Sequence, residues 1–299
     1  MLSAAQHEAV TSEAARPLQI LAGPGSGKTR VLTSRVAHLV RDSAAPIAPE
    51  RCVVVTFTNR AANEMRARLE TMIGADRTRR LVLGTFHAVC VRFLRRWGTR
   101  LGLDPRFTIA DTDDARRLLR DVDRDAPVDA TLAAISRAKA HGWTPDELRA
   151  SAQHAPGSPA HTEHLALCRT YAAYQQQLRT SHALDFDDLL LLGVRLFREH
   201  PELTSHIDHV LVDEFQDTNA VQYELLRRLS RHVSVVGDPD QSIYSWRHAD
   251  VRHIERMHLD FPGLHRVLLE ENYRSTPQIL EAALRVMQQD PHRIPKGLY

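Results

Sequence analysis

Short apolar runs alternate with amphipathic segments over the first part of the chain. The runs 17–21, 51–57 and 81–85 are dense in Leu, Ile and Val, which is typical of buried strands. Between these runs, residues 29–40 and 58–69 repeat apolar side chains at helical spacing. The pattern therefore predicts β-α-β-α-β, which is the beginning of a parallel α/β sheet.

From residue 87 to residue 203 the apolar spacing is helical, and no convincing strand run interrupts it. The helices predicted in this segment cover 87–97, 112–122, 130–140, 145–152, 162–180 and 185–199. Outside this segment, terminal helices are predicted over residues 2–15 and from Pro277 onward, where proline suits the first turn of a helix. We therefore expect residues 87–203 to form an all-helical inserted subdomain.

Strand patterns return after this helical segment. They occur at 209–214, 233–238 and 266–269, and a helix over roughly 219–230 keeps the alternation of strands and helices. We expect one discontinuous α/β domain, built from residues 1–86 and 204–270 around a parallel sheet.

A glycine-rich stretch lies between the first predicted strand and its helix. It reads Ala22-Gly23-Pro24-Gly25-Ser26-Gly27-Lys28-Thr29, with two small residues five positions apart followed by Lys and Thr, as in phosphate-binding loops. Glycines let successive N–H groups point into one concavity, Lys28 brings a positive charge to the outer phosphates, and the Thr29 hydroxyl can hold Mg²⁺. An ordinary glycine-rich turn is the alternative, but a strand before and a helix after favour phosphate binding.

Acidic and amide side chains follow two of the later strands. Asp213 can hold Mg²⁺, directly or through water, and Glu214 can accept a proton from an attacking water. Gln241 follows the next strand and can reach the terminal phosphate, because the carboxyl ends of parallel strands meet at one edge of the sheet. An acidic pair after a strand is also a common helix start, but together with the phosphate loop it favours nucleotide hydrolysis.

Aromatic and basic residues suggest contact with nucleic acid. Tyr244, Trp246 and Arg247 can stack bases and hold phosphates, although Trp246 can also be an ordinary core residue. From Arg77 to Arg106 there are eight arginines and a single acidic residue. This segment can contact a nucleic-acid backbone or can be a solvated helical face, and both interpretations stay open.

Composition narrows the class of protein. The chain of 299 residues has a formal net charge of only +2 and 43% hydrophobic residues, so no global basic field argues for nucleic acid. Its three cysteines are scattered without a Cys-x-x-Cys pair, which excludes a disulfide framework and indicates a reducing compartment. No signal core or membrane-length apolar run is present, so we expect a cytoplasmic protein that does not bind membranes.

Together, these motifs resemble those of superfamily 1A DNA helicases of the UvrD/PcrA/Rep type. The segments that match are 2–6, 22–30, 55–62, 84–87, 184–189, 212–219, 237–246 and 271–275. They occur in the order of that family and cover essentially the whole chain. The resemblance implies a RecA-like P-loop NTPase sheet with a helical insert, and ATP-driven 3′→5′ translocation on single-stranded DNA.

The resemblance also implies roles for individual residues in binding and hydrolysing ATP. Gln6 would recognise adenine, and Arg30 and Tyr273 would sandwich the ring. Lys28 and Thr29 would bind the phosphates and Mg²⁺, with Asp213 as the other metal ligand. The remaining roles at the phosphates would be general base for Glu214, γ-phosphate sensor for Gln241 and arginine finger for Arg274.

A further set of residues would line the path of single-stranded DNA in such a helicase. These are Phe57, Asn59, Thr85, His87, Tyr244, Trp246 and Arg247. The expected partners are single-stranded DNA, 3′-tailed duplex DNA and proteins of DNA repair or replication.

The match covers only the first half of such a helicase. Residues 271–299 would begin a second RecA-like domain, whose insert and last motifs have no counterpart in these 299 residues. We therefore expect this chain alone to hydrolyse ATP slowly and not to unwind DNA. The alternative function is a nucleotide-gated module that binds single-stranded DNA without motor activity; a kinase is less favoured, because no phosphoacceptor site is suggested.

Overall fold

The chain folds into two compact units. The computed structural model describes residues 2–151, 157–243, 248–287, 289, 297 and 299. The first unit comprises Met1–Val89, Pro201–Thr218 and Leu226–Tyr299, and the second comprises Cys90–His200 and Asn219–Leu225.

The first unit contains a six-stranded parallel sheet. In the described residues the strands are β1 (Leu18–Ala22), β2 (Cys52–Thr56), β3 (Val82–Thr85), β4 (Thr108–Ile109), β5 (Ala183–Leu184), β6 (His209–Val212), β7 (Val233–Gly237) and β8 (His265–Leu269). The order across the large sheet is β3-β2-β6-β7-β1-β8, and every pairing in it is parallel. The predicted parallel α/β sheet is therefore confirmed.

The central strands form because they are apolar on both faces. β1, β2, β6 and β7 are buried at every position, as expected of parallel strands covered by helices on both sides. The edge strand β8 instead buries Val267 and Leu269 while Arg266 and Leu268 are exposed. Registers such as Thr56 opposite Thr85 align the strands so that their carboxyl ends meet at one edge.

Helices account for most of the remaining described chain. They are α1 (Ala4–Thr11), α2 (Lys28–Ala37), α3 (Asn59–Ile73), α4 (Ala75–Arg80), α5 (Phe86–Trp97), α6 (Thr112–Val122), α7 (Val128–Ala140), α8 (Pro145–Ala150), α9 (Pro159–Thr180), α10 (Phe186–Glu199), α11 (Ala220–Leu229), α12 (Arg252–Asp260) and α13 (Pro277–Met287). The first helix is shorter than the predicted 2–15, because Ser3 and Gln6 close a capping box at its beginning and Ser12 ends it. No helix in the described ranges is long and apolar enough to cross a membrane.

The second unit is helical apart from one small ladder. Thr108 and Ile109 of β4 pair in parallel with Ala183 and Leu184 of β5. The expectation of an all-helical segment is wrong at this point, because strands of two residues are too short to show a period of two.

Two helices of the first unit, α4 and α12, were also not predicted. α4 consists almost entirely of polar residues and so carries no apolar stripe.

A buried ion cluster lies within the second unit. The Nζ atom of Lys139 is 2.6 Å from Oδ2 of Asp185 and 2.7 Å from Oδ1 of Asp188. Tyr174 donates its hydroxyl to Asp185 over 3.1 Å, and Gln175 donates its amide to Asp188 over the same distance. Asp185 also caps α10 by accepting from the Asp188 N–H, so the cluster ties α7, α9 and α10 together.

Candidate functional site

The strand order places the predicted site residues along one edge of the sheet. Thr85 ends β3, Phe57 follows β2, and Asp213 follows β6, which is the neighbour of β2. Next come Asp238 after β7 and the phosphate loop after β1, and Glu270 follows the last strand, β8. Residues that are far apart in the chain therefore share this carboxyl edge, where ligands bind in open parallel sheets.

Glycines shape the loop between β1 and α2. Gly25 and Gly27 have φ values of 69° and 85°, a left-handed region that other residues rarely adopt. Gly27 is the N-cap of α2 and has no side chain to occupy the first N–H groups of the helix. Ser26 closes the loop from inside by donating its hydroxyl to the Gly23 carbonyl over 2.8 Å. A helix that begins in this way can bind an anion at its N-terminus.

The segment after β8 packs against this loop. The Gly23 N–H donates to the Leu269 carbonyl over 3.0 Å, and the Tyr273 N–H donates to the Gly25 carbonyl over 3.1 Å. A Cβ atom on Gly25 would lie 2.6 Å from Cβ of Arg274, so only glycine allows this approach. The structure thus brings Tyr273 and Arg274 next to the phosphate loop.

Lys28, at the first position of α2, reaches the ends of two neighbouring strands. Its Nζ atom donates to Oε1 of Gln241 over 3.0 Å and lies 3.4 Å from Oε2 of Glu214. Lys28, Glu214 and Gln241 therefore lie together, although 213 positions separate Lys28 from Gln241. They are the residues predicted to be the phosphate-binding lysine, the general base and the phosphate sensor.

Asp213 and Glu214 occupy an unfavourable environment for two carboxylates. Burial, followed by the charge of Glu214, raises the pKa of Asp213 to about 7, and Lys28 opposes this shift. Glu214 has a left-handed backbone with φ of 48°, which is uncommon for a residue other than glycine. Strain of this kind costs about 1–3 kcal/mol and is concentrated at functional sites.

Three further polar residues belong to the site, although sequence reasoning gave them no role. Gln216 is 2% exposed and contacts Glu214, Asp217 and Asp238 through its amide. Burial, followed by the charge of Glu214, raises the pKa of Asp217 to about 6. Asp238 is fully buried and accepts from the Gln241 amide over 2.6 Å. Their signal in the sequence is polarity immediately after a buried strand, where an apolar pattern would otherwise continue.

A cavity of about 290 Å³ lies beside the phosphate loop. Gln6 and Tyr273, two of the predicted adenine contacts, line it together with Ser26. The Gln6 amide donates to the Ser26 carbonyl over 2.9 Å and so joins α1 to the loop. The third predicted contact, Arg30, is exposed on the first turn of α2 and is not among the described residues that line this cavity.

The predicted DNA contacts lie partly within the described residues. Phe57 and Phe86 pack edge to face with ring centroids 5.7 Å apart, where β2 and β3 end. Thr85 accepts from the Ala88 N–H over 3.2 Å, and burial lowers the pKa of His87, which favours the neutral imidazole. Asn59 is exposed at the beginning of α3. Tyr244, Trp246 and Arg247 lie outside the described residues.

Several arginines between Arg77 and Arg106 are already engaged within the chain. Arg79 pairs with Asp76, and Arg80 pairs with Glu50 at 2.8 Å. Arg95 donates to the Pro105 carbonyl and lies 4.1 Å over the Phe107 ring. These contacts favour a structural role for these three arginines.

Cation-binding groups are sparse in the described ranges. These ranges contain no cluster of three or more His, Cys, Asp or Glu side chains that could hold a metal ion. Asp213 nevertheless suits a cation. Its carboxylate is buried beside that of Glu214, and the positive charge of Lys28 already opposes the rise in its pKa.

Comparison with known proteins agrees with this geometry. Residues 2–262 match the model of the UvrD/REP helicase N-terminal domain. Relatives named ATP-dependent DNA helicase PcrA include those of Leuconostoc citreum, 42% identical over 95% of this chain and 38% of the relative, and of Staphylococcus epidermidis, 40% identical over 100% and 41%. The relative of the same name from Staphylococcus aureus is 40% identical over 98% of this chain and 41% of its own length.

The chain therefore spans about two fifths of the length of these relatives. The family match covers most of the chain and includes the phosphate loop, the Asp213-Glu214 pair and Gln241. The matched range, the identities and the six-stranded parallel sheet agree, and the chain belongs to the UvrD/REP helicase family.

Proposed function

We propose that this chain is the ATP-binding half of a DNA helicase that translocates 3′→5′ on single-stranded DNA. The observation that carries the proposal is the position of Lys28, within 3.0 Å of Gln241 and 3.4 Å of Glu214. A cation from the phosphate loop thus meets a carboxylate and an amide at the carboxyl edge of a parallel sheet, as phosphoryl transfer to water requires.

ATP would lie along this edge with its phosphates on Ala22–Thr29. Its base would enter the cavity lined by Gln6 and Tyr273, since an amide can bond to the edge of adenine and a phenol ring can stack on its face. Arg30 is a proposed second stacking partner, because it follows Thr29 on the exposed side of α2.

Mg²⁺ is the cation we propose for this site, with Thr29 and Asp213 as its protein ligands. Mg²⁺ usually binds through one or two protein ligands, substrate phosphates and water, so the site needs no larger carboxylate cluster. When bound, it would neutralise the charge on the phosphates and lower the pKa of Asp213 below its raised value of about 7.

Hydrolysis follows from the neighbouring side chains. Glu214 takes a proton from water as the water oxygen bonds to the γ-phosphorus, and the bond to the bridging oxygen of ADP breaks. Lys28 and Gln241 orient the terminal phosphate. Arg274, adjacent to Gly25, can add positive charge in the transition state as an arginine finger.

We propose that DNA binds at the β2–β3 side of the same edge. Phe57, Asn59, Thr85 and His87 follow these two strands, and the sequence adds Tyr244, Trp246 and Arg247 after Gln241. Aromatic side chains stack bases with little regard to sequence, which suits a translocase. The proposed substrates are single-stranded and 3′-tailed duplex DNA in cytoplasmic repair or replication. A nucleotide-gated DNA-binding module without unwinding is the alternative function.

Binding measurements on the 299-residue polypeptide test the proposal. Wild type should bind a fluorescent ATP analogue, and Lys28→Ala should weaken this binding by about 10–100-fold, since a hydrogen bond to a charged group contributes about 1.5–3 kcal/mol. Arg285→Ala, which removes an exposed charge from α13, is the matched control and should bind as wild type does. Unchanged affinity in Lys28→Ala would refute the phosphate-loop assignment.

DNA distinguishes the motor from the alternative. In a helicase half, a single-stranded oligonucleotide should bind less tightly as salt rises and should accelerate ATP hydrolysis. Binding that responds to ATP without any acceleration of hydrolysis would favour the gated module.

A further inference from the structure

The side chain of Gln216 joins two strands of the candidate site. Its Nε2 atom donates to Oε2 of Glu214 over 2.9 Å and to Oδ2 of Asp217 over 3.3 Å. Its Oε1 atom accepts from the Asp238 N–H over 2.9 Å. An amide offers donors on its nitrogen and an acceptor on its oxygen in one rigid plane, so the Gln216 side chain can hold Glu214 and the Asp238 backbone at once.

These contacts close a ring of five residues, which we call the polar ring: Lys28, Gln241, Asp238, Gln216 and Glu214. Lys28 contacts Gln241, Gln241 donates to Asp238, and the Asp238 N–H donates to Gln216. Gln216 then donates to Glu214, which lies 3.4 Å from Lys28. The ring connects the phosphate loop with the ends of β6 and β7.

Both ring contacts of Glu214 fall on the same carboxylate oxygen, Oε2. This fixes the rotation of the carboxylate and makes Oε1 the oxygen that is positioned to take a proton. The backbone of Glu214 is already held in the left-handed region. A Cβ atom on Gly237 would lie 2.7 Å from Oε1 of Gln216, so the end of β7 packs directly on the amide and prevents it from turning.

We infer that Gln216 is a positioning residue for ATP hydrolysis, which orients the Glu214 carboxylate and holds it in register with the β7 end that carries Gln241. The inference rests on the proposed function, because it requires Glu214 to act as the base. Gln216 acts through Glu214 and Asp238 and not through the nucleotide, so its loss should lower the rate of the chemical step and leave ATP affinity nearly unchanged.

Two substitutions separate the two ends of the amide. As a carboxylate, Gln216→Glu keeps an acceptor for the Asp238 N–H but cannot donate to Glu214 or Asp217. Gln216→Met removes all three side-chain hydrogen bonds at similar volume. Gln19→Met is the matched control: Gln19 is equally buried in β1 and also bridges elements, by donating to the Ile254 carbonyl and accepting from Arg266. Gly237→Ala displaces the Gln216 amide without changing its chemistry, and it takes the place of any Gln216 variant that does not fold.

The experiment measures single-turnover hydrolysis of radiolabelled ATP, ATP affinity and thermal unfolding for each 299-residue variant, with Lys28→Ala as the background. Both Gln216 variants should lower the saturated rate by about 10–100-fold, as a misplacement of about 1 Å can do, and change affinity by less than about threefold. Gln19→Met should keep the wild-type rate even if its Tm falls.

Each other outcome has a distinct meaning. Wild-type hydrolysis no faster than that of Lys28→Ala would overturn the proposed function and this inference with it. A wild-type rate well above that background, together with unaltered rates in the Gln216 variants or in Gly237→Ala, would overturn the inference alone. Parallel losses of affinity, Tm and rate would show a merely structural role. Retention of the rate in Gln216→Glu but not in Gln216→Met would also overturn the inference, because Gln216 would then act through Asp238 and not by orienting Glu214.

Discussion

Two lysines of this chain lie among acidic side chains, one in each compact unit, and their surroundings differ. Lys139 has a side chain that is 0% exposed and two carboxylates within 2.7 Å. Lys28 has a side chain that is 11% exposed, an amide oxygen at 3.0 Å and a carboxylate at 3.4 Å. Lys139 is therefore hydrogen-bonded to two carboxylates, whereas Lys28 has one carboxylate, that of Glu214, at a longer distance.

The difference shows how the same charged groups become structural or exchangeable. Burial alone would lower the pKa of Lys139, but Asp188 and Asp185 raise it above its usual value, so this lysine stays charged and fixed. The proposed function requires Lys28 to exchange its contacts with Gln241 and Glu214 for those of a phosphate.

Replacing Glu214, the carboxylate near Lys28, should lower ATP hydrolysis strongly and retain ATP binding. Glu214→Gln should lower ATP hydrolysis by about 10²–10⁴-fold, because the amide is nearly isosteric and cannot take a proton. ATP affinity should be retained or should rise, since Lys28 loses its carboxylate partner. Turnover and nucleotide titration on the same preparation measure both effects. Glu281→Gln, an exposed carboxylate of α13, is the control, and near-normal turnover in Glu214→Gln would place the base elsewhere.

Replacing Lys139 should lower the stability of the second unit. Lys139→Met leaves Asp185 and Asp188 buried without their cation, which should lower the free energy of unfolding by about 3–5 kcal/mol. Urea unfolding followed by circular dichroism measures this loss, because the unit is rich in helix. ATP binding by the folded protein should not change. A loss below about 1 kcal/mol would mean that the cluster is less dependent on its lysine than its geometry implies.

Asp187, which lies between the cluster residues Asp185 and Asp188 in the sequence, should respond to pH. Burial, followed by the charge of Asp185, raises the pKa of Asp187 to about 6 from an ordinary value of 3.8. Between about pH 4 and pH 6 the folded protein therefore binds more protons than the unfolded chain, and the free energy of unfolding falls as pH rises.

Substitution of Asp187 isolates that contribution. Asp187→Asn should flatten the decline, so that the variant gains about 1–3 kcal/mol over wild type between pH 4 and pH 8. Urea titrations at a series of pH values measure the slope. A variant with the same slope as wild type would assign the pH dependence to other groups.

Lys28→Ala should have the smallest effect on stability. Its carboxylate partner, Glu214, has a side chain that is 38% exposed and can turn toward water. The free energy of unfolding should therefore change by less than about 1 kcal/mol, as for ion pairs near the surface. Urea unfolding beside Lys139→Met gives the direct comparison. A loss as large as that of Lys139→Met would mean that the polar ring is a structural element rather than an exchangeable one.

The sequence predicted the sheet because its four central strands are short, mainly apolar runs that are buried throughout. It predicted a turn between β1 and α2 because glycines mark a backbone that other residues rarely adopt. It did not predict the contacts of the Gln216 side chain, since apolar periodicity reports burial and not the hydrogen bonds of a buried amide. The left-handed Glu214 gave no signal either, because nothing distinguishes it from a glutamate in ordinary conformation. The β4–β5 ladder was missed because each strand has two residues.

The strand order has a consequence for how the protein is made. β1 carries the phosphate loop, yet its neighbours in the sheet are β7 and β8, the last of which ends at Leu269. At about 5–20 residues per second, a ribosome needs roughly 10–50 s to extend the chain from Ala22 to Leu269. Until β7 has been synthesised, β1 has none of its native strand partners, and its second partner, β8, is made last. For that time its unpaired edges are open to chaperones or to wrong pairing. The proposed phosphate-binding loop is thus among the first segments to be synthesised, and the strand that carries it is among the last to complete its pairing.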